Sequence, residues 1–241
     1  MIKVSHFSKS FGKKLIHKNI NFQVKAGECL GLIGGSGTGK SVLLRSIIGL
    51  ETPDTGTILV NEQNVHSLSE KELTHLRQKV SYVFQGGALF DSLNVFDNLA
   101  YSLKEHTTLS EEEIERKIYS TLEQFGLADS AKLMPSQLSG GMQKRVGLAR
   151  AMVMNPNVLL YDEPTAGLDP FNTKRIQELI LRLKQTGVTS ILVTHDMPVA
   201  LEVCDRLALL MKGEIVEEMS PELFHRSPQA LMHRFIHGEA F

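Results

Sequence analysis

The sequence predicts an α/β fold: a mostly parallel sheet flanked by helices, with an antiparallel β region before it and a helical segment inserted in it. Three observations carry this reading. Residues 28–33 form an apolar run, residues 34–39 are rich in glycine, and residues 41–48 are apolar at helical spacing, which together make a strand–turn–helix unit. Val158, Leu159, Leu160 and Tyr161 lie between Asn155-Pro156-Asn157 and Asp162-Glu163-Pro164, the pattern of a strand buried on both faces. Residues 190–194 form a third such run, which ends at His195-Asp196.

The other elements follow in chain order. Residues 2–7, 19–25 and 57–61 read as antiparallel strands, with Gly56 and Asn61 as punctuation. Residues 69–78 read as a short helix, and residues 79–84 as a strand closed by Gln85. Between 86 and 137 the composition turns to helices and loops. Ser110 and Glu113 form a capping box, and Ile114, Ile118, Leu122 and Phe125 follow as an apolar stripe that Gly126 ends. A helix opens at Ser139 and runs through Met152, and another covers 172–185 and ends at Gly187. The tail, 220–241, holds Pro221, Pro228 and histidines. His233 and His237 are four apart, but no carboxylate or cysteine accompanies them at ligand spacing, so a helical tail packed on its own or a partner subunit is expected rather than a metal site.

Chemistry gathers at the predicted strand ends. Gly34-Gly35-Ser36-Gly37-Thr38-Gly39-Lys40-Ser41 fits the phosphate-loop pattern, in which glycines at positive φ turn successive N–H groups into one concavity at a helix N-terminus. Lys40 is placed for the β- and γ-phosphates and Ser41 for Mg²⁺. Ligands of open α/β sheets bind beyond the C-terminal strand ends, where Asp162 and Glu163 fall. Asp162 can hold the metal through its water shell, and Glu163 can polarise an attacking water. His195 can contact the γ-phosphate, and the Gln85 amide can reach Mg²⁺ or water. Leu138-Ser139-Gly140-Gly141-Met142-Gln143 opens a helix with a serine and two glycines, a second phosphate site in the same chain. Two half-sites in one chain invite a dimer in which each completes the other.

The order of phosphate loop, Gln85, residues 138–143, residues 159–164, Ala166-Gly167-Leu168-Asp169 and His195 resembles that of the ATP-binding cassette (ABC) ATPases over nearly the whole chain. The resemblance implies a P-loop NTPase (RecA-like) core with an N-terminal antiparallel β region and an inserted α-helical subdomain. It implies one ABC domain over 1–241, with the nucleotide-binding core at about 1–85 and 157–219, the helical subdomain at about 86–156 and a C-terminal tail at 220–241. It further implies a head-to-tail homodimer around two ATP molecules. There Ser139, Gly140 and Gly141 of one copy contact the γ-phosphate held by the other, Asp169 lies at the seam, and Phe11 stacks on adenine. Residues 85–98, residues 141–150 and the ending Phe235-Ile236-His237-Gly238 are similar to those of Mla-type ATPases, which move phospholipid with Mce-domain partners. The Gly-Pro that often closes their tail is missing. An amino-acid-type importer shares the same motifs. Soluble ABC ATPases of DNA or ribosomes carry coiled-coil insertions or two cassettes, and neither is seen here. The implied partners are an integral-membrane permease and an Mce-domain protein, at the cytoplasmic face of the inner membrane.

Composition narrows the classes further. The 241 residues carry 26 Lys plus Arg and 27 Asp plus Glu, a net charge of −1. Such balance argues against a dedicated nucleic-acid surface, which is normally basic. Cys29 and Cys204 sit in apolar runs and form no metal pattern, which fits a reducing compartment. No signal segment opens the sequence and no apolar run reaches spanning length, so a membrane role is expected to act through a partner chain.

Overall fold

The computed structural model describes residues 1–238; the last residues of the expected tail, 239–241, lie outside the described residues. Two sheets organise it. The first contains β1 (Ile2–Phe11), β2 (Lys14–Val24), β4 (Thr55–Val60) and β5 (Gln63–Asn64) in the order β2-β1-β4-β5, all antiparallel. The second contains β3 (Cys29–Ile33), β6 (Val80–Val83), β7 (Val158–Asp162), β8 (Thr189–Val193), β9 (Arg206–Met211) and β10 (Glu214–Met219), in the order β10-β9-β3-β8-β7-β6. It is parallel except for β10, which pairs antiparallel with β9.

The helices are α1 (Lys40–Ile47), α2 (Glu70–Lys79), α3 (Val95–His106), α4 (Glu111–Gln124), α5 (Gly140–Met152), α6 (Pro170–Gln185), α7 (Met197–Val203), α8 (Pro221–Arg226) and α9 (Leu231–Ile236). The capping box at Ser110 forms as expected: Glu113 N–H donates to Ser110 Oγ at 3.3 Å, and Ser110 N–H donates to Glu113 Oε2 at 2.7 Å. Ile114, Ile118, Leu122 and Phe125 are all buried, so the stripe is packing. A second capping box, Ser69 with Glu72, starts α2.

The central strands read as unbroken apolar runs because each face of their sheet is covered. Alternate residues enter different cores. Leu30, Leu32, Leu160, Ile191 and Val193 join β1, β2, β4, α1 and α2 in one cluster. Cys29, Leu159, Tyr161 and Leu192 join α3 to α7 in the other. Truncating a fully buried leucine in either cluster costs about 2–5 kcal/mol. The helices between β6 and β7 share the second cluster with the sheet rather than building a core of their own.

The strand limits differ from the sequence reading. β1 extends to Phe11 and β2 begins at Lys14, because a tight hairpin pairs polar residues that show no apolar alternation. Gly56 is not a terminator but lies inside β4. A Cβ there would stand 2.4 Å from the carbonyl oxygen of His6, where β1 bulges. The tail forms α8 and α9 and packs on its own chain: Phe224 and Met232 are buried, and Met232 N–H donates to Glu217 Oε2 at 2.6 Å. The His233 and His237 rings lie 4.3 Å apart, tilted at 44° to each other, and no cluster of three metal-ligating side chains occurs among the described residues. Among those residues no helix is long and apolar enough to cross a membrane.

Candidate functional site

β3, β6, β7 and β8 are adjacent and parallel, so their C-terminal ends meet at one edge of the sheet. The phosphate loop follows β3, Gln85 follows β6, Asp162 and Glu163 close β7, and His195 follows β8. A cleft of about 580 Å³ opens there, lined by the loop, Phe11, Gln85, Glu163 and His195. Phe11 is 46 % exposed, which excludes a core role. Ile16, which the sequence did not flag, lines the cleft with it.

Only part of the glycine argument holds. Gly37 and Gly39 take positive φ, at +75° and +94°, and Gly39 caps α1. Gly34 is required for space instead: a Cβ would meet the Leu210 carbonyl oxygen at 2.6 Å. Thr38 Oγ1 donates to the Gly35 carbonyl at 2.9 Å and ties the loop to itself. Lys40 Nζ donates to the carbonyls of Gly34 and Gly35 at 2.8 and 2.9 Å, two of the three donors an ammonium has. Burial lowers its pKa, opposed by the nearby Glu163 and Asp162 carboxylates.

Asp162 is buried and held from two sides. Ser41 Oγ donates to Oδ1 at 2.8 Å, and Tyr82 Oη donates to Oδ2 at 2.6 Å. Burial first, then the bond to Asp162, pushes the Tyr82 hydroxyl far above the ordinary tyrosine range. The sequence reading missed Tyr82, since nothing local distinguishes it from a packing residue of β6.

Glu163 sits at φ +51°, a left-handed backbone rare for a side chain of its size. Its N–H donates to the Val193 carbonyl at 2.9 Å. Its Oε2 accepts from His195 Nδ1 at 2.8 Å and from His195 N–H at 3.3 Å. Lys144, from α5, donates to the Gln85 carbonyl. Burial lowers the Lys144 pKa and Glu163 opposes the shift. Arg150 donates to the carbonyls of Ala88 and Gly87 at 2.8 and 3.0 Å, so α5 grips the loop after Gln85 from two points.

Ser139, Gly140, Gly141 and Asp169 are not among the cleft-lining residues. Ser139 caps α5, its Oγ accepting from Met142 N–H at 3.3 Å. Asp169 caps α6 in the same way and is exposed. Ser139, Gly140 and Asp169 are exposed and Gly141 is buried against Asn172, so these residues stand apart from the cleft of their own chain.

A family model described as "ABC transporter" matches residues 17–166. The chain is 40% identical over 238 residues to the "Probable ribonucleotide transport ATP-binding protein mkl" of Mycobacterium leprae, covering 98% of this chain and 69% of that protein. It is 45% identical over 201 residues to the "Methionine import ATP-binding protein MetN" of Carboxydothermus hydrogenoformans, 83% of this chain and 59% of that protein. It is 37% identical to the "Intermembrane phospholipid transport system ATP-binding protein MlaF" of Haemophilus influenzae over 100% of this chain and 91% of that one. The chain thus spans about two thirds of the length of the mycobacterial relatives it matches and less of the MetN protein. Among solved structures, the dimeric cassette MJ0796 bound to ADP and Pi superposes with a TM-score of 0.85 at 33% identity, covering 92% of this chain and 99% of that one.

Proposed function

This chain belongs to the ABC transporter family as an ATP-binding ATPase, and from that premise we propose that it powers a phospholipid transporter at the cytoplasmic face of the inner membrane. The loop amides and Lys40 bind the phosphates of ATP, and Phe11 stacks on adenine. Ser41 and Asp162 bring two oxygen donors to one point and would hold Mg²⁺, which such a set fits, with Gln85 within the same cleft. Mg²⁺ held there would neutralise phosphate charge. Glu163 is the general base for the attacking water, and His195 orients it. A second copy supplies Ser139, Gly140 and Gly141 across the seam, with Asp169 beside them.

The convergence of Lys40, Ser41, Asp162, Glu163 and His195 at one sheet edge supports these roles. The closed dimer is favoured by the separation of Ser139–Gly141 from the chain's own cleft. Likeness to the MlaF protein over the whole chain supports the phospholipid cargo. A permease, with an Mce-domain protein beside it, is the partner this reading requires. The helical subdomain at about 86–156, inserted in the nucleotide-binding core at about 1–85 and 157–219, carries the permease seat, and the tail at 220–241 follows the core. Likeness to the MetN protein supports an amino-acid importer as the second reading.

The test is to purify the chain with its permease and identify co-purifying small molecules by mass spectrometry. ATP-dependent transfer of labelled phospholipid between vesicles is expected, abolished by Lys40→Ala. ATPase activity stimulated by methionine and indifferent to lipid would replace the phospholipid reading with the importer one.

A further inference from the structure

Asn172, in the first turn of α6, touches both pieces of the surface just assigned to a second copy. Its Nδ2 donates to Asp169 Oδ2 at 2.6 Å, and its backbone N–H donates to Asp169 Oδ1 at 3.0 Å. Both carboxylate oxygens of Asp169 are therefore held by one residue. The other side of the same amide lies against Gly141. A Cβ at Gly141 would stand 2.4 Å from Asn172 Oδ1 and 2.6 Å from its Cγ, whereas a Cβ at Gly140 would meet nothing within 4 Å. The two adjacent glycines thus differ. Gly140 faces open space, and Gly141 is bare so that the Asn172 amide can close on α5.

We infer that Asn172 is a positioning residue that locks Asp169 to the Ser139–Gly141 turn, so that the two elements offered to the second copy keep one fixed spacing. A planar amide suits the task. Its NH₂ end satisfies a carboxylate, while its oxygen end fits the space a glycine leaves. Alanine loses both contacts. Aspartate keeps the shape but sets a second negative charge against Asp169, and the pair must move apart.

The inference rests on the two-copy reading, and the experiment separates the two. In a Glu163→Gln background, dimerisation with Mg-ATP is measured by size-exclusion chromatography with light scattering. Binding of trinitrophenyl-ATP by dilute monomer is measured alongside, with thermal unfolding as the control for folding. Adding Asn172→Ala should leave nucleotide affinity within about twofold and weaken the dimer by on the order of tenfold or more, as expected when a contact surface is misplaced rather than removed. Asn172→Asp should weaken it further, and that extra loss should shrink, relative to Asn172, as salt rises from about 0.05 to 0.5 M and screens the pair. A simple packing defect would show no such salt dependence. Dimerisation equal to that of the parent in both variants, or an aspartate deficit indifferent to salt, overturns the inference and leaves the dimer standing. A parent that stays monomeric in Mg-ATP overturns both.

Discussion

Glu163 Oε2 accepts both the ring Nδ1–H and the backbone N–H of His195, at 2.8 and 3.3 Å. One carboxylate oxygen is thereby pinned by one residue, and Glu163 and His195 follow the ends of two adjacent parallel strands. Replacing Glu163 with Gln keeps the shape but removes the charge proposed to polarise water. Turnover should fall by about 10²–10⁴-fold, the usual weight of a general base. Nucleotide binding should persist, because Lys40 and the loop amides do not depend on Glu163, and the protein should accumulate as a dimer in Mg-ATP. His195→Ala should lose less, since the base remains while its orientation loosens. Phosphate release by both variants checks the order; near wild-type turnover by Glu163→Gln would remove Glu163 from the mechanism.

Tyr82→Phe keeps the ring packed on Phe84 and removes the donor to Asp162 Oδ2. The hydroxyl stays protonated across any assay pH, because its pKa is raised by burial and by Asp162. Partners of metal-holding groups typically change metal affinity by about 10–100-fold. The Mg²⁺ concentration for half-maximal ATPase activity should rise within that range, with little change in kcat at saturating Mg²⁺. An unchanged magnesium titration would reduce Tyr82 to a packing residue.

His17 is fully buried behind Gly39, and neither ring nitrogen has a hydrogen-bond partner among the described residues. Burial lowers its pKa from 6.5 to about 4, offset a little by the Gly39 backbone beside it. The folded chain therefore keeps His17 neutral at pH values where the unfolded chain protonates it. Above pH 6.5 the difference contributes nothing to the pH dependence. As pH falls from 6.5 towards 4, stability is lost at a slope approaching about 1.4 kcal/mol per pH unit. Urea unfolding of His17→Leu against wild type should show a difference that is flat above pH 6.5 and grows below it. A difference independent of pH would place the protonation elsewhere.

Phe90 is 45 % exposed, packs against the tilted Tyr101 ring with centroids 5.3 Å apart and lies under the Arg150 guanidinium. Leu89 packs against the core instead, so a charge there damages the fold as well as the surface. Phe90→Asp should keep ATP binding and basal hydrolysis within about twofold, since surface substitutions cost little stability, while transport driven through the permease is lost. Transport at the wild-type rate by a folded Phe90→Asp protein would move the permease seat elsewhere.

The site was legible where chemistry falls at strand ends. A glycine loop, an Asp-Glu pair and a histidine each follow an apolar run, and parallel pairing brings such ends together whatever their separation in sequence. Tyr82, His17 and Asn172 were not legible. Each matters through contact with a residue far along the chain (Asp162 for Tyr82, Gly39 for His17, Gly141 for Asn172), and no periodicity records such a contact. The ends of β1 and β2 escaped for a related reason. Lys9, Ser10 and Lys14 belong to a ladder held by backbone bonds, which leaves no trace in side-chain hydropathy. Asn172 stood at the expected helix start, which the structure moves to Pro170, and this hid its place in the first turn.

The left-handed backbone at Glu163 sets the residue proposed as the base against the residue the chain would hold most easily. A side chain in that conformation costs roughly 1–2 kcal/mol that glycine does not. Directed evolution scored on heat resistance alone would therefore drift towards glycine at position 163. Its best survivors would be well-folded proteins that bind nucleotide and never turn over, so a screen for a hardier version of this protein must read phosphate release in every round.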